Sequence, residues 1–151
     1  MANSEPTETT TPQPETKRAT PFDRLGGADV VIAITNRFYD LMDSDRAYAA
    51  LRAMHADDLA PMRESLAGFL IGWSGGPRDW FGQGKCVFSL HRPMAITQKT
   101  AQQWADAMRR AIHDVVREDE EMARTMSGVL EEIALSMVPV EKIEPVKAQP
   151  A

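Results

Sequence analysis

Apolar residues recur at steps of three and four along most of this chain, and this spacing constrains the fold more than any other feature. In the clearest example, Val31, Ile34, Phe38 and Leu41 share one face of a 3.6-residue period. Comparable stripes occupy three later segments, at 59–73, 101–115 and 122–137. No stretch alternates apolar and polar residues in the way that a half-buried strand requires. The sequence therefore predicts an all-α fold.

Composition divides the chain into one domain and two tails. Residues 1–19 are polar and rich in threonine and proline, so they lack the apolar content needed to offset the entropy of ordering. Residues 139–151 repeat this composition, and their prolines would interrupt a helix. We therefore predict disordered tails at 1–19 and 139–151, and a single domain at 20–138 that is large enough for a hydrophobic core.

Charge and composition exclude several classes of function. A net charge of −5 argues against nucleic-acid binding and against an anionic membrane surface, since both require basic patches. No apolar run approaches the roughly 20 residues of a spanning helix, and the first residues are too polar for a secretory signal. We expect a cytoplasmic protein. A single cysteine, Cys86, rules out an intrachain disulfide and a cysteine-rich metal cluster, and it is expected to be an ordinary loop thiol.

One histidine and two aromatic residues are the first candidates for a functional site. His91 lies in a short apolar stretch before Pro93, and Trp104 follows thirteen residues later within a predicted helix. Tyr39 and His55 lie upstream, where they would form a second wall. A neutral imidazole is a good iron ligand, and phenol and indole rings each offer one polar hydrogen. The combination suggests a haem site, whereas each residue taken alone is equally typical of core packing or of a structural hydrogen bond.

The connection before His91 breaks the helical pattern. From Arg78 to Leu90 the periodicity fades, and Gly82 and Gly84 predict a long irregular loop. Loops of this length in compact domains are commonly functional. Because the chain has no Cys-x-x-Cys-His motif, a haem in this protein would be bound non-covalently.

Six short motifs follow one another in order along residues 20–137. They are Phe22-Asp23-Arg24-Leu25-Gly26-Gly27, Arg37-Phe38-Tyr39, Asp57-Asp58-Leu59, Gly75-Gly76-Pro77, His91-Arg92-Pro93-Met94 and Trp104. With these motifs the chain resembles a truncated haemoglobin of the second group. The resemblance implies a two-on-two helical sandwich around a b-type haem.

The resemblance also implies roles for the candidates. His91 resembles the family's proximal iron ligand, Tyr39 its distal tyrosine and Trp104 the tryptophan typical of the group. His55 falls beside the distal face, where three roles stay open: a third hydrogen-bond donor, a second iron ligand when no gas is bound, or an exposed turn residue. The expected apolar haem contacts are Phe38, Met62, Leu66, Phe69, Phe88 and Met108.

The residues expected to bind the haem propionates depart from the family pattern. Arginines that usually precede the proximal histidine are absent, which leaves Arg92, Lys85 and Arg78 as the nearby cations. Trp80 stands where the family usually has a tyrosine. We expect the haem to be anchored through a different set of residues.

Three functions are compatible with the sequence. The leading one is a b-type haem protein that binds dioxygen and other diatomic ligands, held by a polar Tyr39 and Trp104 pocket that slows their release. The alternative is a haem-dependent peroxidase or a nitric oxide detoxifying enzyme, which would need an external reductase because no G-x-G-x-x-G motif is present. The third is a haem-free helical interaction module. We expect a monomer or a homodimer.

Overall fold

The computed structural model describes residues 19–91 and 93–139, so nearly all of both predicted tails lies outside the described residues. This part of the chain contains eight α-helices and one 3-10 helix at Arg46–Tyr48, and no strand. The α-helices are α1 (Pro21–Leu25), α2 (Ala28–Ser44), α3 (Ala49–Ala53), α4 (Ala60–Trp73), α5 (Asp79–Gly82), α6 (Val87–His91), α7 (Gln98–Val115) and α8 (Glu120–Ser136). The all-α prediction is confirmed.

The helices begin and end at residues whose side chains suit those positions. Thr20 caps α1, and Asp23 completes a capping box with it. Gly26 then ends the helix in the left-handed region, with φ of 109°, which glycine adopts without strain. Thr97 caps α7 in the same way, through Thr100. These caps fix where the long helices start.

Two pairs of helices build the domain. Helix α2 packs against α4 and also against α7, and α7 packs along α8. Val31, Ile34 and Phe38, which define the predicted stripe of α2, are fully buried at the centre of this arrangement. Burial of such apolar faces is the main source of stability for helices of this length.

The connection predicted to be irregular contains two short helices instead. Helix α5 packs on α4 because Gly68 and Gly72, one turn apart, leave room for aromatic rings: a Cβ on Gly72 would approach Phe81 to 2.7 Å. Trp80 is buried by the same packing. Helix α6 ends at His91. Helices of four or five residues are too short to produce a periodic stripe, and tertiary contacts stabilise them.

No helix within residues 19–91 and 93–139 combines the length and apolar character needed to cross a bilayer.

Candidate functional site

A cavity of about 400 Å³ lies between the two helix pairs and is closed on one side by α6. Its volume falls in the range of roughly 300–1,000 Å³ that is typical of cofactor and ligand sites. Seven of the predicted site residues line it: Tyr39, His55, Met62, Leu66, Phe69, His91 and Trp104. The fold therefore brings together residues from α2, α4, α6, α7 and the turn after α3.

Three of the predicted apolar contacts, Phe38, Phe88 and Met108, are not part of this lining, and Phe38 is fully buried in the core. Phe88 is half-exposed, because Val87 and His91, four positions apart, turn the inner face of α6 toward the cavity and leave Phe88 outside. Met108 lies one turn beyond Trp104, where α7 has entered the packed core, and it is buried there. Neither side chain belongs to the lining of this cavity, and their assignment as haem contacts stays a prediction. Arg92 lies outside the described residues.

His91 presents one ring nitrogen to the cavity with its lone pair free. Its Nδ1 lies 2.6 Å from the carbonyl oxygen of Val87, one turn earlier in α6. A carbonyl oxygen can only accept, so Nδ1 carries the proton and Nε2 of the neutral ring is the unprotonated nitrogen. An imidazole that is oriented through Nδ1 in this way is prepared to ligate a metal through Nε2.

His55 has the same arrangement on another wall of the cavity. Its Nδ1 donates to the carbonyl of Leu51 at 2.8 Å. Burial lowers the pKa of His55, and the charges of Arg52 and His91 lower it further, against the opposing effect of the Leu51 hydrogen bond. The ring is therefore neutral near pH 7, and its only N–H is already in use.

This geometry bears on the three roles left open for His55. A neutral ring whose proton is donated to Leu51 has no second hydrogen, which argues against the role of a third hydrogen-bond donor. The side chain is half-buried and lines the cavity, which argues against the role of an exposed turn residue. The role of a second iron ligand, through the unprotonated Nε2, stays a prediction.

Tyr39 and Trp104 are the cavity-lining residues that supply hydrogen-bond donors. Phe38 lies behind both, with its ring centroid 4.9 Å from that of Tyr39 and 5.4 Å from that of Trp104, and holds the two rings in place. Among the described residues, neither the Tyr39 hydroxyl nor the Trp104 indole N–H has a hydrogen-bond partner, although Tyr39 is only 2% exposed. Burial raises the pKa of Tyr39, so the phenol keeps its proton and remains a donor.

One cation reaches the cavity. Of the lysines and arginines in the described part of the chain, only Lys85 contributes to the lining, and its Nζ lies 5.9 Å from the centroid of the Trp80 ring. Arg78, also considered as an anchor, instead stacks on Phe81 with its Cζ 4.6 Å from the ring centroid. The Trp80 indole donates to Ser65 Oγ at 3.1 Å, so this wall is fixed.

Sequence reasoning missed much of the apolar lining. Helix α8 contributes one stripe spaced by three and four, and α6 with the following turn contributes another. The missed apolar residues include Leu130, Ile133, Ala134, Met137, Val87, Leu90, Met94 and Ile96. The stripe of α8 was visible in the sequence as a buried face, but a periodic pattern does not reveal whether the face meets another helix or a cavity.

The donor set fits a haem. The walls are mostly apolar, as a macrocycle requires, and among the described residues Lys85 is the one positive charge available for carboxylates. His91 and His55 each have an unprotonated ring nitrogen that could bind iron, and Tyr39 and Trp104, which carry the two unpaired donors, line the same cavity. None of the described residues forms a cluster of three or more histidine, cysteine or acidic side chains that would hold a bare metal ion.

Comparison with known proteins agrees with this geometry. Residues 20–138 match the family described as bacterial-like globin. The chain is similar to the cold-adapted truncated haemoglobin of the Antarctic marine bacterium Pseudoalteromonas haloplanktis TAC125, with 29% identity, a TM-score of 0.76 and coverage of 81% of this chain and 99% of that one. It is also similar to the group II 2-on-2 haemoglobin of the plant pathogen Agrobacterium tumefaciens, with 27% identity, a TM-score of 0.78 and coverage of 84% and 99%. The two-on-two helical fold predicted from the resemblance is confirmed.

Proposed function

Because the chain belongs to the bacterial-like globin family, we propose that it binds haem b non-covalently through His91 and holds dioxygen or a similar diatomic ligand beside Tyr39 and Trp104. The observation that carries this proposal is the set of residues that line one apolar cavity. It combines an imidazole whose Nε2 lone pair is free with the Tyr39 hydroxyl and the Trp104 indole N–H, for which the described residues supply no hydrogen-bond partner.

The protein's own residues have separate tasks in this proposal. Haem, when bound, would supply an iron that binds an imidazole and a diatomic gas. His91 would hold it through Nε2, because the Val87 carbonyl fixes the tautomer that carries its proton on Nδ1. Lys85 would supply a positive charge for a haem carboxylate. The apolar walls exclude water, which strengthens each hydrogen bond inside.

Tyr39 and Trp104 control how long the ligand stays. The Tyr39 O–H and the Trp104 N–H would donate to a diatomic ligand of partial negative charge held in the cavity, and would so stabilise the bound state. A hydrogen bond of this kind contributes about 1–1.5 kcal/mol, or roughly a tenfold change in rate. With two such donors, slow ligand release is expected, which suits ligand chemistry or sensing better than delivery.

The test is the rate of dioxygen dissociation in donor-deleted variants. We expect Tyr39→Phe and Trp104→Phe each to speed dissociation about tenfold, because each removes one hydrogen bond. Trp73→Phe is the matched control, since Trp73 does not line the cavity, and it should leave the rate unchanged. Equal rates in wild type and Tyr39→Phe would remove Tyr39 from the proposed role.

A further inference from the structure

A charged side chain outside the cavity lies directly behind Tyr39. Arg63 belongs to α4 and reaches across to α2, where its Nη1 donates to the Asn36 carbonyl at 3.1 Å and to Asn36 Oδ1 at 3.2 Å. Its Nη2 donates to Asp40 Oδ1 at 2.8 Å. The Arg63 side chain is 28% exposed, so most of it is removed from solvent. These three hydrogen bonds hold the guanidinium in one place.

These hydrogen bonds place the Arg63 guanidinium over the face of the Tyr39 ring. Asn36, Tyr39 and Asp40 stand at positions i, i+3 and i+4 of α2, which places them side by side on the helix surface. Arg63 spans this strip, and its Cζ lies 5.6 Å from the centroid of the Tyr39 ring. That distance is within the range of a cation–π interaction. The ring therefore has Phe38 at its edge and Arg63 over its face, and Tyr39 itself lines the cavity.

We propose that Arg63 is a positioning residue that holds the Tyr39 ring and strengthens its hydroxyl as a hydrogen-bond donor toward the ligand. The inference rests on the proposed function, in which Tyr39 donates to the bound ligand. A positive charge over the ring draws electron density from the phenol oxygen and makes the O–H more polar. The Asn36 and Asp40 contacts keep the charge there when the cavity fills.

The electrostatics of Tyr39 agree with this arrangement. Burial raises the pKa of Tyr39, and the charge of Arg63 is the opposing influence that lowers it. A group that favours the ionised phenol also favours partial transfer of the proton toward an acceptor, so it strengthens the hydrogen bond. Arg63 is not a ligand contact itself, since it is absent from the residues that line the cavity.

If Arg63 had a purely structural role, its removal would have different effects on stability and on ligand release. Arg63 also links α4 to α2, so its loss would lower stability whether or not Tyr39 is present. If it acts through the phenol, however, the effect of its removal on ligand release must depend on the Tyr39 hydroxyl. A double-mutant cycle separates the two cases, because it measures the coupling between the residues rather than either single effect.

The experiment measures dioxygen dissociation and the C–O stretching frequency of the carbon monoxide complex in haem-loaded protein. The variants are Arg63→Met, Arg63→Lys, Tyr39→Phe and the double substitution. Arg63→Met keeps the apolar stem and removes the charge, so we expect dissociation to become about three- to tenfold faster and the frequency to rise. Arg63→Lys retains a charge and should fall between wild type and Arg63→Met.

In the Tyr39→Phe background the same Arg63→Met change should alter the rate by less than about twofold. Arg37→Met is the matched control, because Arg37 lies two positions from Tyr39 and its ion pair, 2.9 Å to Asp114, points elsewhere. An equal Arg63→Met effect with and without the hydroxyl would overturn the inference. If Arg63→Met leaves the dissociation rate unchanged while Tyr39→Phe speeds dissociation, the inference about Arg63 is overturned and the proposed function stands. If Tyr39→Phe also leaves the dissociation rate unchanged, both the inference and the proposed role of Tyr39 are overturned.

Discussion

His55 and His91 use their ring nitrogens in the same way. Each donates Nδ1–H to the carbonyl four residues earlier, and each leaves the Nε2 lone pair free. The two rings line one cavity and are close enough for the charge of His91 to affect the pKa of His55. We therefore propose that His55 would be a second ligand of the haem iron when no gas is bound.

This leads to a prediction for the ferric protein. With His55 as the second ligand, the ferric spectrum should be low-spin, and His55→Ala should convert it to high-spin. Absorption and electron paramagnetic resonance spectra both report the change. The control is His113→Ala, because His113 is exposed and should leave the spin state as it is. A wild-type protein that is already high-spin would exclude His55 from this role.

At the level of residues, the sequence predicted which residue types form the site better than it predicted which way their side chains point. His91, Tyr39 and Trp104 were singled out by residue type and motif, and they do face one cavity. Phe88 and Met108 were assigned to the lining because they are apolar and near in sequence, and the structure places one outside and the other in the core. The nitrogen that each histidine leaves free depends on a carbonyl one turn away, which sequence alone does not orient.

The 3-10 turn and α3 bury Tyr48 and Leu51 in the core and are also attached to α7 by polar contacts. Tyr48 donates to Asp106 Oδ2 at 2.5 Å, and Arg110 bonds both the Tyr48 hydroxyl, at 3.0 Å, and Asp45. The Leu51 N–H donates to Gln103 Oε1 at 3.0 Å. Since His55 follows α3 directly, this network positions one wall of the cavity.

The two buried tyrosines therefore differ in what their hydroxyls do for stability. Tyr48→Phe should lower the free energy of unfolding by about 1–2 kcal/mol, because it removes a hydrogen bond to a carboxylate. Tyr39→Phe should change it by less than about 0.5 kcal/mol, because that hydroxyl has no partner among the described residues. Urea unfolding followed by circular dichroism measures both. The reverse order would mean that the Tyr39 hydroxyl contributes to folding rather than to ligand binding.

At the level of elements, long helices were predictable and short ones were not. Helices α2, α4, α7 and α8 follow stripes of at least four turns or clear caps. Helices α5 and α6 have four and five residues, and they form because Trp80 and Val87 pack inward. Information of that kind lies in the rest of the fold, not in the local sequence.

The molecule as a whole is built around its cavity. The space between the two helix pairs is lined by residues of α2, α4, α6, α7 and α8, so filling it with haem would add contacts to most of the helices at once. A ligand that binds only the folded state stabilises it by about 2.7 kcal/mol at a free concentration one hundred times its dissociation constant. The melting temperature should therefore rise as haemin is added, and should stay constant when an iron salt without porphyrin is added instead. A melting temperature that haemin does not change would contradict a preformed haem site.

The most direct test of the account is a haemin titration of the purified protein, followed by Soret absorbance in the ferric and ferrous states. The wild-type protein should develop a sharp band that saturates at one haem per chain, and His113→Ala should behave identically. His91→Ala should lose the spectrum of an imidazole-ligated iron and release haem faster, because its Nε2 is the proposed ligand. A wild-type protein that stays colourless, or a His91→Ala variant with an unaltered spectrum and affinity, would contradict the assignment.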